Sequence, residues 1–345
     1  MTEAEPFDPF LDRVLLVDHL PSDSWTEGVA VRPDGNVLTS RLDSPEVYAI
    51  NMRGDSWTTK PKLLHRFPNA TGAFNVCRLQ GTGDREEYAV ISGFADLDNA
   101  QFHSWVIWRV APPPDGSSES PRITKIADLH EAVFCMGMIT VGERTLLLCD
   151  AAKCCIWKLD IPTGHVSVFL SDALSMAPSS KEDLFGVNRC RIFNGYLYFT
   201  NHSAGTFCRV PIENGDSEDI RPTGPVQKIA EGLSHAEGLV MTDDSKHAWI
   251  CDYVQGKLWR VDLDPASGIS KVNVLREDLL TPTTMELIVG EDGKRTLYIV
   301  CCGAMDPDWC ETEKGQWARL ASVDPAAMKI HVTITTEITY TYEDA

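Results

Sequence analysis

The chain has 345 residues, of which 43% are hydrophobic, and a formal net charge of −19. This acidic balance excludes nucleic acid and anionic membranes as partners, because both require basic patches. The hydrophobic content is enough for a sizeable core, and closed all-β architectures of this length form one domain.

The N-terminal twenty residues do not have the character of a targeting segment. They carry acidic residues where a signal peptide has a basic region, and their apolar run covers only residues 14–17. No stretch approaches the length that spans a bilayer. The eleven cysteines include no CxxC motif, so neither a disulfide framework nor a zinc site is favoured. We therefore expect a cytoplasmic protein without membrane insertion.

A strand–turn–strand pattern recurs along the chain. Segments 145–160, 196–211 and 248–262 each contain an apolar strand, an Asp or Asn, a turn of small residues and a second strand. Two sets of positions keep a spacing of 51 residues: Asp150, Asn201 and Asp252, and Trp157, Cys208 and Trp259. Looser copies at 36–52, 87–111 and 296–324 bring the total to six units of about four strands, which is typical of propeller blades.

The sequence thus predicts an all-β fold, a single six-bladed β-propeller over residues 1–345 with four-stranded antiparallel blades around a central channel. The predicted blades cover, in chain order, residues 24–52, 63–111, 123–160, 166–211, 226–264 and 273–324. A closing strand at 329–342 is expected to pair with the N-terminal strand, so that no sheet edge stays open. Between blades, residues 111–122 are predicted to form an exposed loop, and 171–183 a short helix or lid.

The residues that open the innermost strands are expected to ring one mouth of the channel. These residues are Glu27, Asn75, Met136, Asn188, Glu237 and Thr284. Converging polar groups must be satisfied by one another, by water or by a bound molecule. One interpretation is that they hydrogen-bond neighbouring blades around a water-filled channel, and the other is a functional site.

The repeat pattern, together with Glu27, Asn188 and Glu237, resembles the SMP-30/gluconolactonase/luciferin-regenerating-enzyme-like propellers from Trp25 to Asp324. In the metal-dependent lactonases of that family, a Glu, an Asn and an Asp from blades one, four and five hold one divalent ion. The resemblance implies that Glu27, Asn188 and Glu237 would hold such an ion (calcium, magnesium, manganese or zinc). The ion would polarise a lactone carbonyl and lower the pKa of a bound water.

The sequence departs from the lactonase pattern at three places. Glu237 stands where the lactonases have Asp, and Arg189 stands where a Gly normally follows the blade-four Asn. In blade three, Cys135 and Met136 replace a substrate-binding Asn-Asp pair. The predicted mouth is therefore more apolar than sugar recognition requires.

These departures resemble a second branch, the fungal hetero-Diels–Alderases that join a quinone-methide-like diene to a terpene alkene in tropolone sesquiterpenoid biosynthesis. The resemblance implies a cofactor-independent [4+2] cycloaddition, which requires orientation of two partners and a hydrogen-bond donor on the diene oxygen. The candidate catalytic residues are Asn75, Asn188, His235, His202 and Tyr253. The candidate pocket residues are Trp25, Glu27, Phe74, Phe134, Met136, Arg189, Glu237 and Thr284.

The leading hypothesis is therefore a cyclase of fungal secondary metabolism that acts on hydrophobic small molecules without a metal or other cofactor. A divalent-metal lactonase and a non-enzymatic binding propeller are the alternatives. Trp25, Phe74 and Phe134 also suit a core, and His202 also suits a turn cap. No HExxH, Gly-x-Ser-x-Gly, P-loop or Gly-x-Gly-x-x-Gly motif is present.

Overall fold

The computed structural model describes residues 14–16, 20, 24–51, 61–302 and 330–334. Within these ranges it omits residues 82, 84, 97–98, 100, 115, 181–182, 184, 218, 243–245, 264–269, 278, 280 and 290–294. The described strands form antiparallel sheets in a propeller arrangement. The all-β class predicted from the sequence is confirmed.

The chain enters the fold through strand β1 (Val14–Leu16), and the first two sheets follow. The first sheet contains β2 (Thr26–Val31), β3 (Val37–Arg41), β4 (Glu46–Ile50) and β5 (Lys62–Arg66). The second contains β6 (Gly72–Arg78), β7 (Tyr88–Asp96), β8 (Gln101–Ala111) and β9 (Arg122–Leu129).

The next three sheets are also built from consecutive strands. The third contains β10 (Cys135–Val141), β11 (Thr145–Asp150), β12 (Cys155–Asp160) and β13 (His165–Ser171), and helix α1 (Ala173–Met176) follows it. The fourth contains β14 (Val187–Phe193), β15 (Tyr196–Asn201), β16 (Thr206–Glu213), β17 (Arg221–Pro222) and β18 (Gln227–Glu231). The fifth contains β19 (Ala236–Met241), β20 (His247–Asp252), β21 (Lys257–Asp262) and β22 (Lys271–Arg276).

The last sheet combines both ends of the chain. It contains β23 (Pro282–Val289), β24 (Arg295–Cys301) and β25 (Ile330–Ile334), and β25 also pairs with β1. The predicted pairing of the two terminal strands is thus confirmed. The innermost strands contact one another in the cyclic order β2, β6, β10, β14, β19 and β23, and β23 contacts β2. The innermost strands of the described residues therefore follow one another around a common axis.

The predicted blade boundaries are wrong by one strand. Strands β5, β9, β13, β18 and β22 were assigned to the start of the following blades, but they pair with β4, β8, β12, β16 and β21 of the preceding sheets. A run of hairpins looks the same in sequence whichever strand begins a blade. The spacing therefore could not show where the chain passes from one sheet to the next. Predicted strand residues 303–324 and 335–342 lie outside the described residues.

The residues of the 51-residue repeat secure the loops that lead into the innermost strands. The Asp150 carboxylate accepts hydrogen bonds from the backbone N–H groups of Val133 and Phe134, at 2.8 and 2.9 Å. The equivalent bonds join Asn201 to the carbonyl oxygens of Ser175 and Ala177, and Asp252 to the hydroxyl of Ser234. All three repeat residues are fully buried, so this periodicity has a structural cause.

Every innermost strand has a β-bulge near its start. The ladders shift register between Thr26 and Gly28 and at the corresponding place in the other five sheets. A bulge leaves residues outside the ladder and re-aims their side chains. The residues left out are Glu27, Phe74, Met136, Asn188, Arg189, Glu237, Gly238 and Thr283.

Glycine at three of these bulges allows neighbouring innermost strands to approach closely. A Cβ placed on Gly137 would lie 2.5 Å from the Asn188 carbonyl oxygen and 3.0 Å from the Arg189 Cα. Gly28 and Gly238 are similarly close to the backbone of the next sheet. These positions therefore fix the distance between the strands that carry Asn188 and Arg189 and their neighbours.

We expect Gly137→Ala to lower the free energy of unfolding by about 1–3 kcal/mol, because the added methyl group meets backbone that cannot move aside easily. Gly215→Ala is the matched control, since its Cβ would meet only side-chain carbons of Ile212 and Ile192 at 3.2 Å or more. Urea unfolding of both variants measures the difference. Equal losses would contradict the close-approach argument.

In the part of the chain that the structure describes, no helix has the length and apolar character needed to cross a bilayer.

Candidate functional site at the channel mouth

An ion pair lies at the centre of the ring of innermost strands. The Arg189 guanidinium donates through Nη2 to Glu27 Oε1, and both side chains are 1% exposed. Trp25 Nε1 donates to the other carboxylate oxygen of Glu27 at 3.2 Å. Arg189 therefore extends from the fourth sheet to the first, so that a protein cation occupies the centre of the predicted ring.

Glu237 lies on the other side of this pair. Asn188 Nδ2 donates to Glu237 Oε1 at 3.3 Å, and His202 Nδ1 lies 3.2 Å from the same oxygen. The Thr200 hydroxyl donates to the Glu237 backbone carbonyl at 3.0 Å. The structure thus brings together Glu27, Asn188 and Glu237, as the sequence predicted.

Several buried polar atoms of this group have no hydrogen-bond partner among the described residues. They are Asn188 Oδ1, Glu237 Oε2, Arg189 Nε and Nη1, and His235 Nδ1. An unpaired buried polar atom is costly, and such atoms concentrate at functional sites. His235 also adopts a left-handed backbone conformation with φ of 49°, which is uncommon outside glycine.

Burial dominates the protonation of these groups. It raises the pKa of Glu27 to about 8 although Arg189 lowers it, and it raises the pKa of Glu237 to about 7. Burial alone would lower the pKa of Arg189, but the carboxylates of Glu27 and Glu237 outweigh it and raise this pKa, so Arg189 keeps its charge. Burial lowers the pKa of His202 to about 4, and that of His235 is also lowered. At neutral pH the site therefore contains neutral imidazoles and at least one carboxyl group that retains its proton.

These shifts predict that the protein loses stability as the pH rises from 6.5 to 8. Burial raises the pKa of Glu27, Glu237 and Glu286 to about 8, 7 and 7. The protonated carboxyl groups therefore make their full contribution to the free energy of unfolding below pH 4.5, and this contribution is lost as the pH rises towards these values. His202 opposes this loss slightly, because its imidazole is neutral in the folded state, whereas in the unfolded chain it still loses part of a proton near pH 6.5.

We expect the free energy of unfolding to fall by about 2–3 kcal/mol over this interval, since one pKa unit corresponds to about 1.4 kcal/mol. Urea unfolding at pH 6.5 and 8 measures it, and Glu27→Gln should reduce the slope. A free energy that stays constant or increases would contradict the shifts.

Aromatic rings line the same mouth, and we call Trp25, Phe74, Phe134, Phe185, His202, His235 and Tyr253 the aromatic collar. Trp25 and Tyr253 are stacked with ring centroids 5.6 Å apart, and Phe134 and Phe185 are stacked at 4.9 Å. Edge contacts connect Phe185 to His202 at 5.7 Å and His202 to His235 at 5.3 Å. The collar therefore continues around the mouth through the first five sheets.

The remaining residues predicted to line the mouth lie elsewhere or also have a structural role. Asn75 Nδ2 donates to the Met136 carbonyl oxygen at 2.9 Å and so connects the second and third sheets. In the second sheet Phe74 lies in the bulge instead of Asn75, and in the last sheet Thr283 does so instead of Thr284. Phe74 and Phe134 are also core residues, because both pack against Trp105.

Sequence reasoning missed two residues of the site. Phe185 joins Phe134 to His202, and Thr200 accepts from the Arg189 backbone N–H while its own hydroxyl donates to Glu237. Phe185 precedes its innermost strand by two residues, much as Phe134 directly precedes its own, so aligning the units on this strand would have found it. Thr200 carries no comparable signal.

The residues present do not fit a divalent ion. The all-oxygen ligand set implied by the resemblance is Glu27, Asn188 and Glu237. However, the Arg189 guanidinium binds the Glu27 carboxyl group and places its own positive charge where the ion would lie. Among the described residues, no group of three His, Cys, Asp or Glu side chains could hold a metal. A cation beside Arg189 would meet like charge in a buried place, which is unfavourable.

The chain is similar in sequence to two fungal proteins. A protein from Sarocladium schorii, provisionally named hetero-Diels-Alderase asR5, is 27% identical over 264 residues, covering 70% of this chain and 62% of the relative. A provisionally named hetero-Diels-Alderase from a Phoma species is 23% identical over 237 residues, covering 61% and 64%. The match therefore spans less than two thirds of either relative. No protein-family model matches the chain.

Solved structures share the fold. The luciferin-regenerating enzyme superposes with a TM-score of 0.63 at 12% identity, covering 94% of this chain and 95% of that chain. A calcium-binding regucalcin from Agrobacterium tumefaciens strain C58 gives 0.57 at 14% identity, covering 95% and 96%. These likenesses show the propeller fold, and the two fungal relatives support the predicted resemblance to hetero-Diels-Alderases.

Proposed function

We propose that this chain catalyses a cofactor-independent [4+2] hetero-Diels–Alder cycloaddition of a quinone-methide-like diene with a terpene alkene. The names of the two relatives support the reaction class. In this reaction one carbon–carbon and one carbon–oxygen bond form, and no atom leaves, so no oxidant, reductant or ion is required. In this proposal the six sheets are the six blades of one ring, and both substrates lie at its mouth.

Glu237 is the observation that carries the proposal. Its carboxyl group is buried, its pKa is raised to about 7, and Oε2 has no partner in the described part of the chain. A protonated carboxyl group can donate its O–H to the diene oxygen, where negative charge develops as the carbon–oxygen bond forms. Asn188 donates a hydrogen bond to Oε1 of Glu237, so Oε2 is the oxygen that carries the proton in this proposal.

The other groups of the mouth support this donor. Neutral His202 does not attract the Glu237 proton strongly, because burial holds the pKa of His202 near 4. Glu27 accepts a hydrogen bond from the Arg189 guanidinium, so this cationic side chain is already engaged within the protein. In this proposal His235 and Trp25, the least buried rings of the collar, hold two unsaturated partners in one orientation, and such orientation removes much of the entropic barrier. His235 and Tyr253 are secondary candidate donors on the collar.

The test uses the purified chain, an ortho-quinone methide generated in situ from a stable precursor, and a terpene alkene. We expect faster product formation with an excess of one enantiomer, while the uncatalysed reaction of achiral partners gives a racemate. Activity should survive EDTA, and Arg144→Gln, a change on an exposed loop, should retain it. A racemic product at the uncatalysed rate would contradict the proposal, and cycloaddition that is lost with EDTA would show that the reaction depends on a metal ion.

A further inference from the structure

A cavity of about 410 Å³ lies farther along the innermost strands, beyond the ion pair of the mouth. All six sheets contribute to its wall, which includes Val29, Cys77, Thr140, Arg191, Val240 and Glu286. This volume falls within the range of roughly 300–1,000 Å³ that is usual for small-molecule sites.

The cavity wall is more positive than the protein as a whole. It contains three arginines, Arg78, Arg189 and Arg191, against the single carboxyl group of Glu286, in a chain whose net charge is −19. Burial raises the pKa of Glu286 to about 7, and Glu286 Oε2 already accepts a hydrogen bond from the Val31 N–H at 3.0 Å. Since Arg189 is paired with Glu27, the two remaining arginines, Arg78 and Arg191, face one partly protonated carboxyl group.

Two of these arginines are only partly engaged. Arg191 donates to the backbone carbonyl oxygens of Cys190 at 2.9 Å and Met285 at 3.2 Å, and these oxygens carry no net charge. Desolvation lowers the pKa of Arg191, so an anion beside it would be stabilising. Arg189 uses Nη2 for Glu27, but its buried Nε and Nη1 have no partner among the described residues.

We propose that this cavity binds a small oxyanion, the carboxylate or phosphate group of a metabolite. Arg191 and Arg78 supply the charge, and Arg189 lies on the same wall. Guanidinium groups suit planar, paired recognition of such oxygens. This site is separate from the collar and does not depend on the cycloaddition.

Isothermal titration with inorganic phosphate, and separately with succinate, tests the site in the full chain at low and moderate ionic strength. We expect saturable 1:1 binding of at least one anion. Arg191→Gln should weaken it by about tenfold or more, since a charge-assisted hydrogen bond is lost. Arg78 is exposed, so Arg78→Gln should keep the fold and weaken binding several-fold even if Arg191→Gln unfolds the protein. Binding of phosphate alone, or of succinate alone, identifies the class of anion.

Arg144→Gln is the matched control, because it removes the same charge from a half-exposed position outside the cavity. Binding to this variant should be unchanged. No saturable heat with either anion up to about 10 mM would overturn the proposal. Equal weakening by Arg144→Gln and Arg78→Gln would also overturn it, because it would show only general screening of charge.

Discussion

Replacing Arg189 with methionine is expected to lower the free energy of unfolding by about 3–5 kcal/mol, the usual result of removing one partner of a buried ion pair. Arg189 and Glu27 are each 1% exposed, and Trp25 is the remaining donor to the Glu27 carboxylate. Without the guanidinium, Glu27 and Glu237 remain buried without a nearby cation. The loss should be greater at pH 8.5 than at pH 6, because the two carboxyl groups can take up protons at the lower pH.

Chemical unfolding of the variant at both pH values provides the measurement. Arg144→Met is the control for the loss of a positive charge, and it should change stability by no more than about 0.5 kcal/mol. The double variant Arg189→Met/Glu27→Leu should recover much of the lost stability, since both members of the pair are then apolar. A loss below about 1 kcal/mol in the single variant would show that the pair contributes little, and the interpretation of the mouth would have to change.

Removing the side chain entirely should convert the mouth into a cation site. In Arg189→Ala the oxygen atoms of Glu27, Asn188 and Glu237 remain without a protein cation, and hard divalent ions prefer such oxygen ligands. We expect manganese or calcium to raise the melting temperature of Arg189→Ala but not that of the unaltered chain. Thermal unfolding with each ion and with EDTA checks this, and equal responses of both proteins would contradict it.

The fold could be predicted in outline because its signals are local. Asp150, Asn201 and Asp252 recur at a fixed spacing since each secures the loop before an innermost strand of its own sheet. The pairing of both chain ends was predictable from the alternating tail and the requirement that a propeller closes its ring. Blade boundaries were not, because β5 and its counterparts differ from other strands only in which neighbour they pair with.

The composition of the site was predictable, but its connections were not. Glu27, Asn188 and Glu237 could be read from the starts of the innermost strands, and the structure brings them together. The direction of the Arg189 side chain depends on its contact with Glu27, which lies 162 residues away in the chain. No local sequence pattern predicts a contact over this distance. The protonation of Glu237 follows from burial, a property of the assembled sheets.

The identity of the side chain at position 237 should determine the rate of the proposed cycloaddition. We expect Glu237→Leu to lower kcat by about 10²–10³-fold, the usual effect of removing one donor to a developing oxyanion. Glu237→Gln keeps an N–H donor of similar length and should lose no more than about tenfold. A hydrolase that required the carboxylate would instead lose its activity in both variants.

The pH dependence separates this role from a merely structural one. If the protonated carboxyl group is the donor, activity should fall as the pH rises through about 7, where Glu237 loses its proton. The Gln variant has no proton to lose there, so its profile should be flat over the same interval, while its stability is checked by unfolding at each pH. A profile in which Glu237→Gln keeps the same descending limb would assign the donor to another group of the collar, with His235 and Tyr253 the next to be replaced.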